Sequence, residues 1–387
     1  MQNPSGEQSR NEDTGLNITI VNCFDTYEHR VELLKRTLEA EGHRVSVVTS
    51  NFRHMKKCLR TECPPDFELV KARPYYKNLS IARLRSHAAF AKAALICVAE
   101  KDPELLWVLV PPNSLVKRAA IYKKKHPDKK LVLDFIDMWP ESMPITRFKE
   151  LPPFTAWRSL RDRYVNAADM VVTECSLFWE TLEKSCPREK LQTLYLARDF
   201  QLYRFVNTPP KDKIALCYLG SINNIIDIPC IGEIIRKFDL PVELHIIGDG
   251  EKREELCETA RNAGAEVIFH GIIYDPKKKQ AIFDRCHAGL NIMKSSVYVG
   301  LTMKSMDYFA ASLPVINNIQ GDTWDFIEQH PIGINYSPET RLSSAKLQIL
   351  QSRREQVRAF YDTYFSEKVF AIRVREILKE LYPEERT

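Results

Sequence analysis

No apolar run in the chain approaches the roughly 20 residues that cross a bilayer, which argues against a helical membrane protein. The start, residues 1–15, is polar and has no hydrophobic stretch. It reads as a flexible tail rather than a secretory signal, and a cytoplasmic address is the expectation. None of the ten cysteines forms a C-x-x-C pair, and no Cys/His cluster has zinc-finger spacing, so neither a disulfide framework nor a structural zinc is expected. Cys23, Cys97, Cys175 and Cys217 lie in apolar segments and read as small buried hydrophobes, while Cys58 and Cys63 come nearest to a pair. The G-x-G-x-x-G of dinucleotide-binding folds is missing from the first strand-to-helix loop.

What is present describes a soluble globular chain. Its 387 residues exceed what one core usually organises, so two domains are expected. Apolar residues make up 44% and charged residues 28%, the balance of an ordered protein. The net charge of +5 is uneven: residues 1–205 hold 33 Lys and Arg against 26 Asp and Glu, and the remainder 23 against 25. A basic first half suits an anionic partner such as a membrane surface or a diphosphate lipid, or else is a solvated basic surface. Nucleic acid fits less well, because the cations are not interleaved with aromatic stacking platforms.

Strand and helix patterns alternate along the chain. Residues 16–23 and 44–49 read as strands around a helix carrying Val31, Leu33, Leu34 and Leu38 on one stripe and closed by Gly42, which is a βαβ unit. A helix over 81–100 leads to a strand at 105–110, stopped by Pro111-Pro112. A basic helix over 114–125 leads to a strand at 130–136, and further strands follow at 170–173 and 191–195. The series then restarts, with strands at 213–219, 242–247, 266–270, 288–293 and 313–317, and an amphipathic helix at 365–381 ends it. The expected organisation is a tail over 1–15, a first Rossmann-like domain over 16–205, a second over 206–364, and a C-terminal helical segment, 365–387, returning towards the first domain. Ligands in doubly wound sheets sit beyond the carboxyl ends of the strands, so the glycines at three strand ends, Gly220, Gly248 with Gly250, and Gly271, are expected to face the site.

The stretch 294–316 carries the most chemistry. Gly300-Leu-Thr302 follows a strand and precedes a helix starting near Met303. Free amides at a helix start, with a glycine permitting close approach, make a diphosphate cradle. Lys304 sits in the first helical turn, where a cation opposes the macrodipole unless it meets an anion. Asp307, three residues on, either accepts hydrogen bonds from ribose hydroxyls or simply pairs with Lys304. Asp137, at the end of a buried strand, either serves as an acceptor-binding or basic carboxylate or caps the turn before Trp139-Pro140. His87 in Arg83-Leu-Arg-Ser-His87 either touches an acceptor or, the favoured reading, is a solvated surface side chain.

The segment resembles the signature of retaining GT-B glycosyltransferases of family four. Ala310-Ala-Ser-Leu-Pro-Val-Ile316 matches its ending, Asp307 stands at its second Glu, and Val299 replaces its first. Leu219-Gly-Ser221 and His245-Ile-Ile-Gly-Asp-Gly250 are similar to its glycine turns, and Asp134-Phe-Ile-Asp-Met-Trp-Pro140 to its Asp-x-Trp-Pro segment. Lys304 with Tyr308 is closer to bacterial enzymes that extend surface polysaccharides or glycosylate adhesins. The resemblance implies an α/β GT-B fold, two Rossmann-like doubly wound domains facing each other across a cleft. It implies a glycosyltransferase using a UDP-sugar as co-substrate without cofactor or metal, and no D-x-D motif lies on a strand-end loop. Gly220, Ser221, Asn223, Gly248, Gly250, Gly300, Leu301, Thr302, Met303, Lys304 and Asp307 would bind the donor nucleotide. Asp137, Lys304 and Arg198 would be catalytic. Pro112, Asn113 and Asp137 would bind a glycan or lipid-linked glycan acceptor, with peripheral contact to an anionic membrane through the basic helix. Ser221-Ile-Asn-Asn224 lacks the Arg and Lys of many relatives, which shifts the diphosphate charge to Lys304 and Arg198. The alternatives are a sugar-nucleotide 2-epimerase of the same fold and a non-catalytic partner subunit.

Overall fold

The computed structural model describes residues 15–143, 150–198 and 208–383. The start over 1–14 and the domain break expected near 205 lie outside these residues. Strands β1 (Asn17–Asn22), β2 (Arg44–Ser50), β5 (Phe67–Val70), β6 (Leu105–Val110), β7 (Lys130–Phe135), β8 (Met170–Thr173) and β9 (Leu191–Thr193) form one sheet in the order β5-β2-β1-β6-β7-β8-β9. A two-stranded antiparallel ribbon, β3 (Phe52–Arg53) and β4 (Cys58–Leu59), stands apart from it. Strands β10 (Ile214–Leu219), β11 (Val242–Ile247), β12 (Ala265–Gly271), β13 (Ala288–Asn291), β14 (Val315–Asn317) and β15 (Gly333–Asn335) form a second sheet, ordered β12-β11-β10-β13-β14-β15 and parallel throughout. Both are open α/β sheets whose first strand lies inside the sheet. By contacts the chain separates into two compact units. One comprises Met1–Asp134, Tyr164–Val171 and Leu378–Thr387, the other Phe135–Arg163 and Val172–Ile377. No helix among the described residues is long and apolar enough to cross a membrane.

In the second sheet the central strand β10 is apolar at every position rather than at alternate ones, while β11 also buries Glu243 and His245, which bond each other at 2.6 Å. In β10, Ile214, Leu216 and Tyr218 enter one core cluster, while Ala215, Cys217 and Leu219 enter another. A strand buried on both faces is what parallel sheets covered by helices require. Gly289 in β13 is a glycine because an added Cβ would lie 2.6 Å from the Tyr308 ring, whose hydroxyl donates to the Cys217 carbonyl at 3.0 Å. Strands β5 and β15 escaped the sequence pattern, since each is short and only partly buried.

The first unit is organised around a buried ion pair. Arg30, on the helix Glu28–Ala40, donates to both oxygens of Asp134 at 2.8 and 3.0 Å, and the Trp107 indole adds a third bond at 3.0 Å. Two expectations change here. His87 is buried, not solvated, because it lies on the inner face of the helix Ile81–Lys101, edge-on to Phe24 and Tyr75 at 5.4 and 5.8 Å. The basic helix Asn113–Lys125 is also less available than its charge suggests. Lys123 is held by Asp169 at 2.9 Å and Lys117 lies over the Tyr164 ring at 5.8 Å. Only Arg118, Lys124 and Lys125 of the cluster are exposed.

Removing one member of a buried, hydrogen-bonded pair leaves an uncompensated charge. Asp134→Ala is therefore expected to lower the unfolding free energy by about 3–5 kcal/mol. Urea unfolding followed by tryptophan fluorescence checks this, and a loss below about 1 kcal/mol would contradict it.

Candidate active site

The second unit contains a pocket of about 430 Å³, within the range typical of small-molecule sites. Its walls come from three places: the segment after β7 with Asp137 and Ser142, the turn after β8 with Glu174 and Cys175, and the segments around Gly220 and 297–306. All lie at or beyond the carboxyl ends of strands, where open α/β sheets bind ligands. The lining is mainly apolar, including Ile225, Met293, Val297 and Val299, with a few polar groups set into it.

The helix Met303–Ala310 provides the electropositive wall. Thr302 caps it: its hydroxyl accepts from the Ser305 amide at 3.2 Å and donates to Asn291 at 2.7 Å, while its own amide donates to the Ser305 hydroxyl at 3.4 Å. This reciprocal cap satisfies one helix-start amide and leaves those of Met303 and Lys304 without hydrogen-bond partners among the described residues. The Lys304 ammonium lies 4.9 Å from the centre of the Tyr218 ring, and no carboxylate among the described residues pairs with it. Desolvation pushes its pKa down to about 8. The Tyr218 hydroxyl is anchored by donation to the Ser221 carbonyl at 2.9 Å, which fixes the ring beneath the ammonium.

One buried carboxylate locks two walls together. Asp322 begins the helix Asp322–Gln329 and accepts from the amides of Ser176 at 2.7 Å and Leu177 at 3.0 Å, and from the Tyr195 hydroxyl at 2.8 Å. The Gly300 carbonyl in turn accepts from the Thr323 amide and hydroxyl, both at 2.8 Å. A Cβ on Gly300 would stand 2.5 Å from an Asp322 oxygen, so glycine is required for this approach. Burial and the Asp322 charge raise the pKa of the Tyr195 hydroxyl and the Cys175 thiol, keeping both protonated.

The expected site residues divide accordingly. Asp137, Gly220, Leu301, Thr302, Met303 and Lys304 line the pocket. The Asp137 carboxylate also accepts from the Trp139 indole at 2.6 Å, so it holds its own turn while lining the pocket. Gly248 and Gly250 do not line it. They pack under the Gly220 turn, where a Cβ on Gly248 would meet the Gly220 carbonyl at 2.0 Å and one on Gly250 the Ile222 carbonyl at 2.2 Å. Ser221 is exposed, and Asn223 uses its side-chain oxygen on the Ile225 amide at 3.1 Å. Gly300 backs the wall rather than forming it. Asp307 turns to Lys279 at 3.7 Å, not to Lys304, and borders a separate small hollow with Gln280 and Phe283. Burial raises its pKa against the opposing Lys279 and Arg198 charges. Arg198 is tied through its backbone to Phe365 and Tyr361 and is absent from the lining. Pro112 and Asn113 belong to the first unit, where both are buried at the end of β6. Glu174, Ser142 and Asp322 were not anticipated as site residues. For Glu174 the available signal was its place directly after a buried strand, the same kind of position as Asp137.

Residues 218–349 match the model of a family described as Glycosyl transferases group 1. The matched stretch contains the Gly220 turn and the helix start that carries Lys304. Among solved structures the chain is similar to sucrose-phosphate synthase from Thermosynechococcus elongatus, at 13% identity and a TM-score of 0.62 over 94% of this chain and 98% of that one. It is equally similar to HepE of Anabaena in complex with UDP and glucose, at 14% identity and a TM-score of 0.62 over 94% and 100%. The lipopolysaccharide outer core galactosyltransferase WaaB aligns at 13% identity and a TM-score of 0.58 over 92% and 95%. No curated protein sequence matches the chain. The fold is that of the GT-B glycosyltransferases.

The Asp322 junction yields a stability prediction. Asp322→Ala strands three donors, each costing about 1–3 kcal/mol when buried and unpaired, so unfolding in urea is expected at least about 3 kcal/mol more easily. Asp322→Asn is expected to fall between, since the amide retains one accepting oxygen. An Asp322→Ala protein as stable as the parent would overturn the assignment.

Proposed function

We propose that the chain is a glycosyltransferase that moves a sugar from a UDP-sugar to a glycan, a lipid-linked glycan or a protein-linked glycan, with retention of anomeric configuration and without a metal ion. The observation that carries this reading is Lys304: an ammonium in the pocket wall with no carboxylate partner among the described residues, beside two unused helix-start amides. Such a place favours an anion with several oxygens, and a diphosphate matches it. The family match over 218–349 and the UDP bound by HepE of Anabaena support a nucleotide-sugar as the source of that diphosphate.

In the proposed reaction the bond between the anomeric carbon and the diphosphate oxygen breaks, and negative charge grows on the leaving UDP. Lys304 and the amides of Met303 and Lys304 stabilise that charge with groups already oriented before reaction. Asp137 and Glu174, across the pocket, receive the sugar or acceptor hydroxyls. The metal-free part of the reading is supported by the chain's own cation in the wall, which can meet the diphosphate charge itself. The basic first half of the sequence supports an anionic acceptor, such as a lipid-linked glycan, and contact with an anionic membrane.

Lys304→Ala is expected to weaken UDP binding by about 1.5–3 kcal/mol, the worth of a charge-assisted contact, with the unfolding transition preserved. Calorimetry showing unchanged UDP affinity would overturn the site. The pH dependence has a defined sign. The side chain is an ammonium below its pKa of about 8 and neutral above it. UDP affinity is therefore expected to fall as pH rises through that value, with proton uptake on binding, and Lys304→Arg is expected to flatten the profile. Transfer is expected to persist after EDTA treatment. Activity lost to the chelator and restored by Mn²⁺ would refute the metal-free reading.

A further inference from the structure

The first unit exposes an unusual combination of side chains on two neighbouring segments, 53–60 and 71–85. Together these hold nine Lys and Arg and no Asp or Glu. Five large apolar side chains on them, Met55, Leu59, Tyr76, Leu79 and Ile81, are each more than half exposed. The cations Lys56, Lys71, Arg73, Lys77 and Arg85 are exposed with them.

The two segments are joined into one surface. Segment 53–60 contains the turn of the β3–β4 ribbon, with Met55 and Lys56 between its strands. Lys57 lies over the Tyr75 ring at 4.8 Å and donates to the Asn78 side chain at 2.5 Å. His54 bonds the Tyr75 hydroxyl at 2.5 Å, and Arg83 donates to the Asn78 carbonyl at 2.8 Å. His54 and Lys57 thus fasten the ribbon to Tyr75 and Asn78 in the loop before the helix Ile81–Lys101, Arg83 holds Asn78 from the helix side, and the exposed apolar residues lie on both segments. Burial, helped by the neighbouring Arg83 and Lys57 charges, pushes the His54 pKa down to about 4, so the cluster carries its charge on Lys and Arg across the physiological range.

We propose that this face docks the protein on a bilayer containing anionic lipid, with the aliphatic side chains entering the interface and the surrounding Lys and Arg meeting lipid phosphates. Charge complementarity selects the anionic leaflet, since each basic residue near it adds attraction that salt screens. The apolar set selects a bilayer over a nucleic acid: four of the five side chains are aliphatic, whereas single-stranded nucleic acids are gripped by aromatic platforms. The inference moves membrane contact away from the helix Asn113–Lys125, where Lys123 and Lys117 are engaged inside the unit. It rests on the surface of the first unit alone and not on the sugar-transfer reading.

The test is sedimentation of the full chain with vesicles of phosphatidylcholine alone or mixed with phosphatidylglycerol, at low and high salt, with UDP affinity measured alongside. The unmodified chain is expected to bind only the mixed vesicles and to be released by salt. Lys56→Gln with Arg73→Gln and Lys77→Gln is expected to weaken binding about a hundredfold. Leu79→Ser with Ile81→Ser is expected to weaken it about tenfold. Arg118→Gln with Lys124→Gln and Lys125→Gln is expected to change it less than twofold. All three variants should keep the parent's UDP affinity and unfolding transition, so failure of the surface is distinguishable from failure of the donor site. No binding of the unmodified chain at low salt overturns the proposal. So does an equal loss from the helix variant. Unchanged binding by the serine variant also overturns it, and preferential capture of RNA over vesicles would then assign the charge to nucleic acid.

Discussion

The pocket of the second unit depends on the Asp322 carboxylate. A carboxylate can accept from several donors at once, and here it takes two backbone amides and a phenol while standing against a glycine with no room for a side chain. The amides belong to the turn that carries Glu174 and Cys175, and the glycine begins the segment that carries Lys304. Two walls distant in sequence therefore hold a fixed separation through one side chain. Its location at the start of a helix is electrostatically consistent, because a negative charge is favoured there.

That arrangement contrasts with the opposite wall, where the helix start carries a positive charge. Lys304 is placed against the macrodipole and in a partly desolvated setting, with the face of the Tyr218 ring beneath it. The protein thus holds an ammonium at a cost that a bound anion would relieve. Stability and binding are in tension at this position. The tension is resolved by rigidity, since Tyr218 is pinned to the Ser221 carbonyl and the Thr302–Ser305 cap fixes the first turn.

Most of the fold was legible because strands such as β6 and β10 are apolar on both faces and end abruptly, at Val110 and Leu219. The two-residue β3 and β4 and the short, partly buried β5 and β15 left too little pattern to read. The site was legible only where a local rule applied. The cap at Thr302, the free amides after it and the misplaced cation at 304 are all properties of one helix turn. The roles of Gly248, Gly250 and Asp307 were not readable, because they depend on which strand end lies beside which. Glycine in those turns serves contact between backbones, and a carboxylate three residues from a lysine paired instead with Lys279 from a different helix. Asp322 carried no local signal, as its partners lie more than a hundred residues away in sequence.

The first unit is not contiguous along the chain. Its last contributor is the stretch Leu378–Thr387, where the Tyr382 hydroxyl donates to the Glu104 carbonyl at 3.2 Å. During synthesis the chain emerges from its amino end, and domains ordinarily fold in that order. Here the residues of the first unit are all available only after Val172–Ile377 has been translated. Cutting the chain before Leu378 would leave the residues of the second unit complete while removing a contributor to the first, so the two units are unequal in their tolerance of loss from that side.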